Sequence, residues 1–194
     1  MSPIALLDAC VLYPMVLCDS LVRLAQYRLY RARWTPHIME EVVRNIARRR
    51  PDLSEERLQR RARRMNVALP DAEITGYDAL IPAFAAFGTD AHVVAAALAG
   101  RVDAIVTSNV RDFPVEILNP LGIAIHSPDE FLCGFLEDSS PVIRRAVQEQ
   151  ASALKNPPMS ETDVIRALQP FAPNFANAAF ELFVGRDPFE SEVN

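Results

Sequence analysis

The chain has 194 residues, of which 50% are hydrophobic and 23% charged, so it is long enough for one ordinary domain with an appendage, and its composition excludes a disordered protein. Its single lysine is Lys155, and it contains no P-loop, G-x-G-x-x-G or G-x-S-x-G sequence, which excludes nucleotide-cradling loops and serine hydrolases. We find neither a signal peptide nor an apolar run approaching the ~20 residues of a membrane helix, and therefore expect a cytoplasmic protein.

The charged residues are distributed unevenly. The formal net charge is −5, yet the segment 44–64 holds nine arginines against three acids, so it carries +6 and the rest of the chain carries −11. A basic segment on an acidic protein can contact nucleic acid or an acidic partner protein, and a solvated helix face is the simpler alternative. The charge by itself does not choose between them.

Apolar spacing and capping residues predict the elements of the first half of the chain: a buried strand over 4–7, and helices over about 20–29, 36–48 and 55–65. Asp8 ends the strand, where a buried carboxylate needs a partner. Asp19 or Ser20 is the expected cap of the first helix. Thr35 followed by Pro36 is a typical start for the second.

The second half predicts a buried helix over 90–99 with Thr89 as its cap, strands over 102–107 and 123–126, and a further helix after Ser127. Short apolar strands that alternate with helices indicate an α/β fold with a parallel sheet, in which ligands lie beyond the carboxyl ends of the strands. From about residue 138 the pattern is helical only. We therefore predict an α/β domain over 1–137, a helical C-terminal extension over 138–184 and an acidic tail over 185–194.

Acidic residues occur at four places that can meet at one edge of this sheet. Asp8 follows the first strand, Asp112 lies in the loop after a later strand, and Asp90 lies in the first turn of the buried helix. Glu40 and Glu41 flank the apolar face of the second helix, each about 130° from its centre, so periodicity does not choose between them. Crowded carboxylates repel one another, and a divalent cation relieves this. Oxygen ligands suit Mg²⁺ or Mn²⁺, and with the arginines they indicate chemistry on phosphates.

Histidine and cysteine do not suggest a competing metal site. His37, His92 and His126 lie in separate elements without H-x-x-x-H spacing, so each is interpreted as structural. The three cysteines form no C-x-x-C pair, which excludes a disulfide framework and a thiolate site.

Four segments, "LLDACVLYP", "TPHIMEEVVRNI", "DAHVVAAAL" and "IVTSNVRDF", occur in the order and spacing of the PIN domain of VapC-type toxin ribonucleases, which the chain resembles over residues 3–135. The segment "KNPPMSETDVIRAL" is similar to the helical C-terminal extension of one PIN subfamily. The resemblance implies a three-layer α/β/α domain with a central parallel sheet, whose acidic cluster binds Mg²⁺ or Mn²⁺ and hydrolyses RNA.

The resemblance also implies the site. The family's catalytic and metal-binding acids fall on Asp8, Glu41, Asp90 and Asp112. Glu41 is implied rather than Glu40 because it stands six residues after the threonine that begins the helix. Thr107 and Asn109 match polar positions around the site. Cys10 stands where many relatives have asparagine, and since a thiol is a weak hydrogen-bonding group, no supporting role is assigned to it.

The predicted function is a metal-dependent endoribonuclease, the toxin of a toxin–antitoxin pair. Its implied partners are RNA and an antitoxin, with a homodimer as a further assembly. One alternative is an inactive PIN-fold module that binds RNA or protein. Another is a haloacid-dehalogenase-like hydrolase, because "IVTSN" resembles that family's second motif, although Ala9 and Cys10 stand where its second acid or threonine is expected and the core has no lysine.

The arginine-rich helix has a predicted role of its own. Four arginines follow i, i+3, i+4, i+7 spacing and form one row: Arg57, Arg60, Arg61 and Arg64. An apolar stripe of Leu58, Ala62 and Met65, about 120° away, suits packing on the domain. We therefore predict that this arginine row faces outward and binds the RNA backbone.

Overall fold

The structure is a computed structural model that describes residues 2–185, so residues 186–194 of the predicted acidic tail lie outside it. Its centre is a sheet of the strands β1 (Ile4–Leu7), β2 (Arg31–Arg33), β3 (Ala104–Val106) and β4 (Ala124–His126). The strand order is β2-β1-β3-β4, and all three pairings are parallel. The strand order changes direction between β1 and β3, because β2 lies on one side of β1 while β3 and β4 lie on the other. In parallel sheets a ligand crevice forms at such a switch point.

Helices surround this sheet in the predicted three-layer α/β/α arrangement. The α-helices of the described residues are α1 (Ala9–Leu12), α2 (Met15–Gln26), α3 (Pro36–Arg49), α4 (Glu55–Ala68), α5 (Ala91–Ala99), α6 (Val115–Leu118), α7 (Pro128–Ala153), α8 (Glu161–Leu168) and α9 (Pro173–Val184). Short 3₁₀ segments cover Asp78–Asp90, Val110–Asp112 and Asn119–Leu121.

The first part of the chain differs from the prediction in two places. Strand β2 was not predicted, because only Ala32 of its three residues is buried and the segment carries no apolar pattern. Helix α2 begins at Met15 after Pro14, so the prediction of a cap at Asp19 or Ser20 is wrong. It also ends before Leu29, since Arg28 adopts a left-handed conformation with φ of 60° that terminates the helix.

The segment Asp78–Ala99, which ends with α5, is more apolar than expected. By length and composition the run Asp78–Ala99 could cross a membrane, which corrects the statement that no such run exists. The structure breaks this run at Gly88, whose φ of 57° and ψ of −123° are not helical. Residues 91–97 are all buried, so α5 forms part of the protein core. The predicted cap is also wrong, because the residue at the N-cap position of α5 is Asp90 and not Thr89.

The C-terminal helices pack against the same core. The predicted capping box is confirmed, since the Ser127 hydroxyl accepts from the Glu130 amide at 3.2 Å. Helix α7 is kinked at Ser139, two residues before Pro141, close to the predicted boundary between the α/β domain and the extension. Beyond the kink, the buried Gln150 accepts a hydrogen bond from the Ser20 hydroxyl at 2.7 Å, which ties α7 to α2.

Candidate active site

The adjacent strands β1 and β3 end at the same edge of the sheet and place Asp8 beside Thr107. Asp8 is 7% exposed, and its backbone N–H still pairs with Val106 of β3. Its Oδ1 accepts a hydrogen bond from the Ala9 amide at 2.6 Å, and its Oδ2 accepts one from the Thr107 hydroxyl at 2.8 Å. The polar partners that a buried carboxylate requires are thus supplied by the start of α1 and the end of β3.

Cys10 belongs to this hydrogen-bond network, which corrects the expectation that it has no supporting role. Its Sγ donates to Asp8 Oδ2 at 3.0 Å and accepts from the Ser108 amide at 3.1 Å. Burial, and then the charge of Asp8, raise the pKa of the Cys10 thiol to about 11. The thiol therefore keeps its proton at neutral pH and remains a donor to Asp8.

The two candidate glutamates of α3 have different surroundings. Thr35 caps the helix as predicted, because its hydroxyl oxygen accepts from the Ile38 amide at 3.0 Å. Glu40 is exposed, whereas Glu41 is half-buried and its Oε1 lies 3.6 Å from Nε2 of His92 in α5. The imidazole of His92 beside it lowers the pKa of the Glu41 carboxyl. Of the two glutamates, Glu41 is the one turned toward α5.

Asp90 lies where the 3₁₀ segment joins α5, and its side chain makes no capping hydrogen bond. Burial raises the pKa of this carboxyl, and the charges of Asp8, Asp112 and Glu41 raise it further. Such an effect requires these carboxylates to be close to Asp90. The three other predicted acids, which are distant from Asp90 in sequence, thus lie near enough for their charges to act on its carboxyl.

Asp112 and Asn109 belong to the loop that follows β3. The Asn109 amide donates to the Thr107 hydroxyl oxygen at 3.0 Å, which fixes the start of this loop. Asp112 closes the short 3₁₀ turn Val110–Asp112 and is exposed, while the next residue, Phe113, is 1% exposed and anchors the turn in the core. The loop is thus held on both sides of Asp112.

Two histidines that were interpreted as separate structural residues meet at the same edge. The rings of His37 and His92 are stacked, with centroids 3.9 Å apart, and both lie beside Glu41. The prediction that the histidines form no cluster is therefore wrong for this pair. Glu41 is one helical turn from His37 on α3, and His92 reaches both because α5 docks against α3, a contact that no sequence motif indicates. His126, at the end of β4, is outside the cluster.

A cleft beside Cys10 contains further residues that no sequence motif had singled out. It is lined by Asn45, Arg48 and Arg49 of α3, by Ser108, and by Phe171 from the C-terminal extension. Asn45 and Arg48 follow Glu41 at i+4 and i+7, so they continue its face of the helix. The extension thus forms one wall of a cleft that starts at Cys10, two residues after Asp8.

The arginine row lines a different groove, between α4 and α2. Leu58 and Met65 are buried against the domain, as the apolar stripe predicted. Arg61 Nη2 donates to the Leu12 carbonyl at 2.7 Å and to the Tyr13 carbonyl at 3.3 Å, which ties α4 to the end of α1. The other three arginines of the row are exposed, so the prediction that the row faces outward is wrong for Arg61, which is turned to the backbone of the domain.

Comparisons with known proteins identify this arrangement. The PIN-domain family profile matches residues 5–111, and a profile described as the VapC50 C-terminal domain matches residues 128–180. The chain belongs to the PIN-domain family. A Mycobacterium tuberculosis protein named "Putative ribonuclease VapC50" is 34% identical over 114 residues, which cover 59% of this chain and 68% of that protein.

The matches confirm the predicted resemblance to VapC-type PIN ribonucleases with a C-terminal extension, and they favour this family over haloacid-dehalogenase-like hydrolases. The PIN profile spans β1 to the loop after β3; it includes Asp8, Glu41 and Asp90 and ends one residue before Asp112. The second profile begins with α7. No solved structure matches the chain significantly.

Proposed function

We propose that this PIN protein is a divalent-metal-dependent endoribonuclease that hydrolyses phosphodiester bonds of RNA, and that it acts in the cytoplasm as the toxin of a toxin–antitoxin pair. The observation that carries the proposal is the environment of Asp90, whose side chain makes no capping bond and whose pKa is raised by burial and then by the charges of Asp8, Asp112 and Glu41. Four carboxylates at one edge are unfavourable unless a cation or protons compensate them.

The donor set fits Mg²⁺ or Mn²⁺ because it consists of carboxylate oxygens. Mg²⁺ usually keeps several water ligands and is bound through one or two carboxylates, so it does not require direct bonds to all four acids. When bound, such an ion lowers the pKa of a water molecule and stabilises the leaving oxygen.

The residues of the chain have distinct parts in this proposal. Asp8 is fixed in orientation by Thr107 and Cys10, and so offers its remaining lone pairs in one direction. Asp90 has no capping bond to break before it binds a ligand. The cleft beside Cys10, with Arg48 and Arg49 exposed along its wall, is a path for the RNA backbone next to the acids.

The arginine row is proposed as a second contact with RNA. Arg61 is bound to the end of α1, a helix of four residues whose N-cap is Asp8, so only the ~6 Å length of this helix separates the Arg61 contact from Asp8. The groove beside the row has a volume of about 1040 Å³, and much of its lining is apolar. An acidic amphipathic segment of an antitoxin also fits such a groove, and the two occupants are separated by experiment below.

The experiment uses the purified full chain and a mixed RNA substrate. Cleavage is expected with Mg²⁺ or Mn²⁺ and is expected to stop in EDTA. Asp8→Asn and Asp90→Asn should abolish it, because each removes a charge without removing volume, while Asp71→Asn, at an exposed acid outside the site, serves as the matched control.

Two results would argue against the proposal. Undiminished cleavage by Asp8→Asn and Asp90→Asn would show that the acidic edge is not the active site. RNA binding by the wild-type chain without cleavage at any divalent metal concentration would favour the alternative of an inactive PIN-fold binding module.

A further inference from the structure

His92 is a buried polar residue whose hydrogen-bonding needs are not met by the protein. It is 3% exposed, and neither Nδ1 nor Nε2 of its ring has a hydrogen-bond partner. Leaving a buried polar group without a partner costs roughly 1–3 kcal/mol. The ring therefore needs an explanation that packing alone does not give.

The atoms nearest to this ring are those of a metal-binding set. His37 and Glu41 are one helical turn apart on α3, and the Glu41 Oε1 lies 3.9 Å from His37 Nε2 and 3.6 Å from His92 Nε2. One ligand atom from each of the three residues lies within 4.8 Å of the other two, the only such set of three in the part of the chain that the structure describes.

These distances are close to those of a coordinated metal ion. In a tetrahedral zinc site with bonds of about 2.0–2.2 Å, ligand atoms lie roughly 3.3–3.5 Å apart. The Glu41 contacts exceed this by only a few tenths of an ångström. The rings of His37 and His92 are stacked, so one ring must turn before both imidazole lone pairs can point at the same ion. The side chains of His37 and Glu41 are 43% and 27% exposed, which gives them space for this adjustment.

We propose that His37, Glu41 and His92 bind a divalent metal of the zinc class. Two imidazole nitrogens and one carboxylate oxygen suit Zn²⁺ and similar borderline ions, whereas Mg²⁺ prefers oxygen ligands only. This three-residue site is distinct in its donors from the carboxylate site at the acidic edge, and the two sites share one residue, Glu41.

Because Glu41 belongs to both sites, metal binding at the three-residue site affects RNA cleavage, an effect that rests on the proposed function. A carboxylate whose oxygen is bound by zinc is less available to the Asp8, Asp90 and Asp112 set. Zinc bound at the three-residue site therefore inhibits RNA cleavage that depends on Mg²⁺ or Mn²⁺. The inhibition is relieved when the two histidines no longer hold the metal.

Binding is tested first, without RNA. The full chain is titrated with CoCl₂, whose visible absorption reports nitrogen and oxygen coordination of low symmetry, and then with ZnCl₂ as competitor. One equivalent is expected to bind. His37→Gln, at a half-exposed position, should weaken binding at least ~10-fold, since even loss of groups that only support a ligand costs 10–100-fold. His126→Gln, outside the cluster, should leave the affinity unchanged.

His92→Gln should weaken binding in the same way, and a thermal melt of that variant establishes whether it is folded. Equal affinity of the wild type and His37→Gln would overturn the proposal whatever His92→Gln does. The double variant Asp8→Asn, Asp112→Asn should keep the cobalt spectrum of the wild type. Loss of the spectrum in this double variant would place cobalt on the carboxylates and would also overturn the proposed site.

Inhibition is tested second. Zinc at one equivalent should suppress cleavage in Mg²⁺ by the wild type, and the zinc concentration that halves the rate of His37→Gln, relative to its own zinc-free rate, should be at least ~10-fold higher. Zinc binding without inhibition would overturn the shared role of Glu41. A chain that cleaves no RNA would contradict the proposed function, while the cobalt spectrum would still decide the metal site.

Discussion

Replacing Thr107 with valine tests whether the hydrogen bonds at the strand end hold Asp8 in place. Thr107 is completely buried, and its hydroxyl donates to Asp8 Oδ2 at 2.8 Å while it accepts from the Asn109 amide at 3.0 Å. Valine fills nearly the same volume but offers neither bond. Asp8 Oδ2 then keeps only the thiol of Cys10, a weak donor.

The size of the effect follows from these bonds. A hydrogen bond to a charged group contributes about 1.5–3 kcal/mol, and the Asn109 amide adds a smaller amount because water reaches this exposed residue. We expect Thr107→Val to lower the free energy of unfolding by about 2–4 kcal/mol. For a chain of this length that is a fall in Tm of roughly 5–15 °C.

Thr107→Ser is the matched control, because it keeps the hydroxyl and loses only a buried methyl group. That loss costs about 1 kcal/mol, equivalent to a fall of roughly 2–4 °C in Tm. RNA cleavage should fall about 10–100-fold in Thr107→Val, as is typical when a group that orients a metal ligand is lost, and much less in Thr107→Ser.

Thermal unfolding is measured by circular dichroism in EDTA, and RNA cleavage is measured in Mg²⁺ at a temperature where every variant is folded. If Thr107→Ser loses as much activity as Thr107→Val, the hydroxyl is not what positions Asp8. If Thr107→Val cleaves RNA at the wild-type rate, the network around Asp8 has no part in catalysis.

Three further predictions concern the acids and the arginine row. Glu41→Gln should impair cleavage far more than Glu40→Gln, since only Glu41 faces α5, and the opposite ranking in a cleavage assay would place the wrong glutamate in the site. Because the folded-state pKa of Asp90 is raised, its charge destabilises the metal-free fold above the ordinary aspartate pKa, so Asp90→Asn should increase the free energy of unfolding in EDTA at pH 7. This gain should shrink as the pH falls through the raised folded-state pKa of Asp90 toward the ordinary aspartate pKa, and a gain independent of pH would contradict the carboxylate repulsion. Replacing the three exposed arginines of the row with glutamine should reduce the slope of log affinity against log salt for single-stranded RNA by about 2 units. If the slope is unchanged while antitoxin affinity falls strongly, the row is a docking face for that protein. The exposed residues are Arg57, Arg60 and Arg64.

Local physical chemistry made much of the fold predictable. Strands β1 and β3 were predictable because a strand buried on both faces of a parallel sheet is apolar throughout. The starts of α3 and α7 were predictable because Thr35 and Ser127 cap them through hydrogen bonds that span only three residues. The membership in the PIN family was predictable because it depends on the order and spacing of motifs. Strand β2 was not, since its edge position is created by pairing with Ile4–Leu7 rather than by its own composition.

The sequence by itself determined which acids exist and that Asp8 and Asp112 follow strands while Asp90 begins a helix, because those features depend on neighbours along the chain. Only the tertiary structure decided which groups meet. The docking of α5 on α3 turned Glu41 rather than Glu40 toward His92, and the side-by-side ends of β1 and β3 gave Asp8 its partners in Thr107 and Cys10. Periodicity describes each helix alone, whereas these contacts depend on the packing of elements tens of residues apart in the chain, which no local pattern encodes.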